Sequence, residues 1–165
     1  MRFASAGAIA LLAGLVLPGC SIPSVYDRTY EQETQRLEGE QAERDAAAHA
    51  AQEQARKYAA VVYFDVGSSV VKPEGLSELG WLVEQLRPYP QAILEVRGFA
   101  DATGGDATNQ RLSDERAENV ASHLVSLGYE RERVVTSGYS SEIPAASDAT
   151  AVGRKNNRRV EVTVR

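Results

Sequence analysis

The 165-residue sequence contains one cysteine and two histidines. A lone cysteine excludes an intramolecular disulfide. His49 and His123 lie far apart in dissimilar surroundings, so a His/Cys metal site is not expected. Basic residues are outnumbered, 18 against 23, giving a formal charge of -5, and their clusters are limited to Arg154-Lys155 and Arg158-Arg159. Nucleic-acid binding needs Lys and Arg gathered against phosphate, so that class is not supported, and the paired basic residues read as a solvated strand edge. The sequence has no EF-hand spacing, no Gly-x-Ser-x-Gly and no His-Glu-x-x-His. A calcium loop and the nucleophile–base or metal sets of a wall hydrolase or amidase are therefore missing, and Ser113 has no evident base. No cofactor is expected, and the expected function is not catalytic.

Long apolar runs are also missing. The longest, Ala4 to Leu17 after the positive Arg2, falls short of the roughly 20 residues that span a bilayer. A charged start, a short apolar stretch and small residues at its end read as an export signal over residues 1–19. The segment closes on Leu17-Pro18-Gly19-Cys20, which resembles the lipobox of bacterial lipoproteins: a Leu, two small residues and the cysteine that becomes the new N-terminus. Pro18 departs from the Ala or Ser usual there. The resemblance implies a diacylglyceryl group and an N-acyl chain on Cys20, and several chains together hold a protein on a membrane for long periods. Ser21, where Asp would favour the inner membrane, implies the outer one.

From residue 20 to 58 the composition shifts to Glu, Gln, Arg and Ala, all strong helix formers. No apolar stripe is sustained; Tyr26, Tyr30 and Leu37 are too few for a coiled coil. A polar, exposed helical spacer is expected, about 40 Å long if residues 30–57 are helical.

Residues 59–165 carry the patterns of one folded domain of the α/β (α+β) sandwich type. Ala59 to Asp65 is a short Val- and aromatic-rich strand. Leu76, Leu79, Leu82, Val83 and Leu86 recur at helical spacing between Pro73, which suits a helix start, and Pro88, which stops it. Ala92–Gly98 alternates as a strand, and a Gly-rich loop from Asp101 to Thr108 leads to a helix over about Asn109–Leu127, ended by Gly128. Arg133–Gly138 is a third strand. Val160, Val162 and Val164 alternate with Arg159, Glu161 and Thr163 in a fourth. The order β-α-β-α-β-β predicts a mixed sheet with two helices on one face.

One residue breaks the pattern. On the helix after the Gly-rich loop, Leu112, Ala117, Val120, Leu124 and Leu127 share a side, and Arg111, Asp114, Glu115 and Glu118 fall away from it. Arg116 lies between Leu112 and Val120, on the side turned to the core. An Arg there must find a carboxylate or reach water. Asp101, just past a strand end, is the nearest candidate in the same region. The two form either a structural ion pair clipping loop to helix, or a grip on a zwitterion, with Asp101 on an ammonium and Arg116 forked on a carboxylate.

Three separated motifs carry a family resemblance over roughly residues 59–165. Gly98-Phe99-Ala100-Asp101-Ala102-Thr103-Gly104, with Asn109, Leu112-Ser113 and Arg116-Ala117, resembles the signature of OmpA-like peptidoglycan-binding domains. Gly153-Arg154-Lys155-Asn156-Asn157-Arg158-Arg159-Val160-Glu161 resembles the family's Asn-Arg-Arg-Val-Glu ending, and Val62-Tyr63-Phe64-Asp65 its first strand. Lipobox and spacer together are similar to the arrangement in peptidoglycan-associated lipoproteins. The resemblance implies that Asp101 and Arg116 bind the diaminopimelate of the peptidoglycan stem peptide, with Asn109 and Asp65 around the same pocket and Arg158 and Arg159 mainly structural. Phe99-Ala100 stands where the family usually has His-Thr, which implies altered packing below the loop. The implied function is a tether from the outer membrane, through Cys20, to the cell wall, facing the periplasm. The alternative is a scaffold in a Tol-like or secretion envelope complex, with a protein partner on the spacer or the sheet.

Overall fold

The computed structural model describes residues 25–165; the export segment 1–19 and Cys20 lie outside the described residues. The chain divides into two compact units, the second beginning at Ala42. Helix α1 (Val25–Ala55) starts in the first. Over residues 30–41 its side chains are almost all exposed, Tyr30 at 75% and Leu37 at 52% among them. Ion pairs one turn apart, such as Arg36 with Glu33 and Glu40, support such a helix in place of a buried face.

In the second unit the last turns of α1 reach the core, where Ala55 is fully buried. Four strands follow: β1 (Ala59–Tyr63), β2 (Leu94–Gly98), β3 (Val134–Gly138) and β4 (Arg159–Val164). Between them lie α2 (Pro73–Leu86), α3 (Asp106–Ser126) and α4 (Ala151–Asn157). The expected order of strands and two packed helices is present, with α4 added between the last two strands. The seven-residue α4 has no apolar stripe to announce it. Its only local mark is Thr150, whose hydroxyl accepts from the Gly153 N–H at 3.0 Å and caps the first turn.

The sheet order is β1-β4-β2-β3, with β4 antiparallel to both neighbours and β3 parallel to β2. One face is apolar: Ala60, Val62, Leu94, Val96, Val160 and Val162 are buried against Leu79, Leu82 and Leu86 of α2 and Ala117, Val120, Ala121 and Leu124 of α3. Alternation therefore holds as expected, because a strand half buried on one face repeats every two residues. Two expected core positions do not hold. Leu76 and Leu127 are 39% and 44% exposed, each near a helix end where the stripe has already turned past the sheet. Asn109 and Ser113 are buried instead, Asn109 against the Gly-rich loop and Ser113 against the ends of β2 and β3.

This topology positions the site. Since β4 runs opposite to both β1 and β2, those two point the same way, and the loops that leave them gather at one end of the sheet. The start of β4 and the N-terminus of α3 lie at that same end. α3 approaches β2 so closely there that a Cβ on Gly98 would stand 2.0 Å from the Ser113 carbonyl oxygen. At the opposite end of α3, Gly128 takes φ 96° to leave the helix, as its position predicted. Gly98→Ala is expected to lower unfolding free energy by about 3 kcal/mol, because backbone rather than a flexible side chain must yield; equilibrium denaturation of the variant against wild type measures it.

Candidate functional site

The loop-bearing end of the sheet encloses a cavity of about 130 Å³, lined by Val66, Gly67, Asp101, Thr103, Asn109, Arg116 and Arg158 among others. Three of the four residues expected to act together, Asp101, Asn109 and Arg116, meet there. A larger groove of about 600 Å³, between Tyr63, Glu74 and Val152, contains none of them. The smaller cavity is the candidate because opposite charges converge on it.

Arg116 is fully buried and is the bulkiest side chain of the interior. It meets neither of the expected partners. Its Nε donates to the Ser68 carbonyl at 2.9 Å, Nη1 to that of Phe99 at 2.8 Å and Nη2 to that of Asp65 at 3.2 Å. The guanidinium also lies over the Phe64 ring, 5.1 Å from its centroid. A planar fork of donors suits this task, since one side chain ties the loop after β1 to the loop after β2. Burial lowers its pKa to about 10, opposed by the negative charge of Asp101 and assisted by the positive charge of Arg158. The direct Asp101–Arg116 ion pair is thus replaced by a longer-range attraction.

Asp101 pairs instead with Arg158, Oδ2 to Nη1, at 2.7 Å. Both side chains are nearly enclosed, 7% and 12% exposed. The other carboxylate oxygen accepts from the Thr103 N–H at 3.1 Å and from its hydroxyl. Arg158 also donates from Nε to the Phe64 carbonyl at 3.2 Å. It therefore lines the cavity while bracing Asp101. Burial pushes the Asp101 carboxyl up, but the hydrogen bonds from Thr103 and Arg158 outweigh it and the net shift is downward.

Asn109 is buried at the first turn of α3 and donates from Nδ2 to the Gly104 carbonyl at 3.2 Å, which fixes the Gly-rich loop. That loop is shorter than expected, because α3 begins at Asp106 rather than Asn109. Asp65 is placed differently again. Its side chain is 73% exposed and pairs with Lys72 at 2.5 Å, and only its backbone carbonyl, which accepts from Arg116, touches a residue of the cavity. The hydrogen bond from Lys72 lowers its pKa, against a smaller opposing effect of burial.

Phe99 and Ala100 are buried below the loop. Phe99 stacks on Tyr139 at 5.5 Å between centroids and lies under the Arg159 guanidinium at 4.0 Å, an arrangement in which an aromatic ring replaces a polar one as packing. Arg159 pairs with Glu161 at 2.7 Å. Asn157, just before the two arginines, accepts from the Ala145 and Ala146 N–H groups and donates to the Ala146 carbonyl and the Asp148 carboxylate. It locks the segment before α4 and so places Arg158. Ser113 is likewise engaged, donating to the Gln110 carbonyl and accepting from the Ser140 N–H.

A carboxylate and two guanidinium groups around one small cavity suit a ligand bearing both charges. In comparisons with known proteins, a family model described as "OmpA family" matches residues 63–158. The Escherichia coli K12 protein named "Probable lipoprotein YiaD" is 42% identical over 103 residues, which cover 62% of this chain and 47% of that protein. The chain spans about half or less of the length of such curated relatives. A crystal structure of the peptidoglycan-associated lipoprotein from Burkholderia pseudomallei aligns with TM-score 0.62 at 26% identity, over 64% of this chain and 90% of that one. The cell wall anchor of the T6SS from Pseudomonas aeruginosa aligns with TM-score 0.56 at 30% identity, over 64% and 79% respectively.

The Asp101–Arg158 pair has a pH signature. The folded carboxyl is more acidic than the unfolded one, so the folded chain holds fewer protons at the same pH. Its contribution is present above the unfolded pKa near ~3.9 and is lost as pH falls through the lower folded value. Asp101→Asn is expected to cost about 3 kcal/mol at neutral pH by leaving Arg158 buried without its counter-charge. That difference from wild type is expected to narrow below about pH 4 in urea melts.

Proposed function

The chain belongs to the OmpA family, and on that premise we propose that it is a non-catalytic tether between the outer membrane and the cell wall. The domain takes a peptidoglycan stem peptide through its diaminopimelate residue. Asp101 receives the ammonium and the guanidinium charge of Arg116, at the base of the cavity, attracts the carboxylate. Asn109 holds the loop over the ligand, and Asp65 contributes through its carbonyl. Cys20 bears the lipid, Ser21 directs the protein to the outer membrane, and the domain faces the periplasm.

The single observation that carries this reading is the nearly enclosed Asp101 carboxylate beside paired guanidinium groups in a cavity of a few water volumes. The names of the similar proteins support it, a lipoprotein and a peptidoglycan-associated lipoprotein among them. Tethering does not require tight binding at the wall. Confinement of the domain near its ligand raises effective concentration, so a modest contact suffices while the lipid holds.

A second reading, a scaffold in an envelope complex with wall binding secondary, is favoured by the likeness to a T6SS cell wall anchor. Among the described residues no helix is long and apolar enough to cross a membrane. The proposed membrane attachment is the lipid on Cys20.

Arg116 is a poor place to test the site, because its removal strands carbonyls from both loops and opens the core. Asp101→Asn keeps the Thr103 contacts and the shape. The folded variant, verified by circular dichroism, is expected to lose at least about tenfold in co-sedimentation with purified sacculi; sedimentation equal to wild type overturns the assignment. Separately, Cys20→Ser is expected to move the protein from the membrane fraction to the soluble periplasmic fraction, and retention in the membrane would refute lipid anchoring.

A further inference from the structure

The two edges of the sheet are finished differently. On β3 the Gly138 carbonyl accepts from Gln110 Nε2 at 3.1 Å and the Val134 carbonyl from Arg131 Nη1 at 2.8 Å, so side chains close that edge. The edge of β1 has no such cover among the described residues. The Phe64 N–H donates to the Arg158 carbonyl, and antiparallel partners alternate between bonded and unbonded pairs. Ala60 and Val62 therefore turn their backbone groups to β4, and Ala59, Val61 and Tyr63 turn theirs to the open side. Edge strands are commonly guarded by a charge or a proline, and the strand Ala59–Tyr63 carries neither.

The groove of about 600 Å³ runs along this edge, lined by Val61, Tyr63, Glu74, Glu78, Val152 and Lys155 among others. It shares no residue with the charged cavity. Its two walls are unlike. α2 sits directly on β1, since a Cβ on Gly75 would stand 2.7 Å from Val62 Cγ1, and Glu74 and Glu78 flank that contact. Both glutamates are exposed and neither has an ion-pair partner among the described residues, while Lys72 beside them is held by Asp65. α4 supplies the other wall with exposed Val152 and Lys155. The groove is therefore acidic on the α2 side and mainly apolar between Val61, Tyr63 and Val152.

We infer that β1 is a docking edge for an extended segment of another protein in which basic and apolar residues alternate, added to the sheet as a fifth strand. Charge and spacing select this occupant. Glu74 and Glu78 are one helical turn apart, about 6 Å along the axis. Alternate residues of a strand are about 6.6 Å apart, nearly the same repeat. A strand lying in the groove presents every second side chain to α2, where Lys or Arg meets the two carboxylates, and the others to Val61, Tyr63 and Val152. Backbone hydrogen bonds to Ala59, Val61 and Tyr63 supply the attachment, and the walls supply the choice of sequence. A second copy of β1 fits worse. It brings no basic side chain, and pairing two such edges about a two-fold axis sets Glu74 and Glu78 of both copies on the same face of the joined sheet.

The test uses two end-blocked peptides, Thr-Lys-Val-Lys-Val-Lys-Thr and Thr-Glu-Val-Glu-Val-Glu-Thr, titrated by NMR into the purified full chain. The lysine peptide is expected to bind at least about tenfold more tightly than the glutamate peptide. It is also expected to slow amide exchange at Ala59, Val61 and Tyr63 by at least about tenfold, with Ala60 and Val62, already bonded to β4, changing little. Val61→Pro removes one outward N–H and keeps the bonds to β4, and it is expected to abolish that protection. Should Val61→Pro fail to fold, the exposed double substitution Glu74→Lys with Glu78→Lys serves instead and is expected to reverse the preference toward the glutamate peptide. Equal affinity for the two peptides overturns the inference, as does binding of neither, or binding that leaves the three amides unprotected. Sedimentation showing wild type as a dimer and Val61→Pro as a monomer assigns the edge to a second copy and overturns it as well.

Discussion

A guanidinium group with no exposed surface governs the functional end of this domain. Arg116 is the bulkiest buried side chain, and it is not neutralised by a direct carboxylate contact. Backbone carbonyls from two loops accept its hydrogen bonds instead, and the Phe64 ring takes its face. Carbonyls left unpaired inside a protein are as costly as an unpaired donor, so side chain and loops satisfy one another. Without the arginine, the loops after β1 and β2 would have no common anchor. Without the loops, the arginine would have no reason to be inside.

The rest of the site follows from that fixation. The Phe99 carbonyl is held by Arg116 two residues before Asp101, so the carboxylate is delivered to the cavity at a set height. Asn109 fixes the remainder of the loop from the α3 side, and Asn157, the last residue of α4, fixes the chain just before Arg158. Polar groups from three stretches of sequence thus bound one cavity without exposing it widely. Preorganisation of this sort lowers the ordering cost of binding a small charged group.

Much of this was legible in the residues. The strict alternation of Val160, Val162 and Val164 located β4 and its inward face, and Pro73 and Gly128 marked helix ends. Arg116 stood out on a helical wheel because a charge on an apolar side is physically anomalous. Its solution was not legible, since a wheel gives direction and says nothing about backbone carbonyls arriving from distant loops. The contact of Arg158 with Asp101 was not legible, because 57 residues of sequence with no periodicity separate the two. Asp65 meets Arg116 through a main-chain atom, which no residue type reveals. The short α4 escaped because a single turn or two with no apolar stripe looks like loop.

The position of β4 has a bearing on when the sheet can close. It is the last of the four strands to be synthesised, yet it lies between β1 and β2, and both hydrogen-bond to it rather than to each other. Until residues 159–164 are available, the earlier strands have a gap where their shared neighbour belongs, and Val62, Leu94 and Val96 lack the side chains that fill it. Contacts of such long sequence separation form late and slowly. A nascent chain of this topology therefore keeps its sheet open until its last strand has been made.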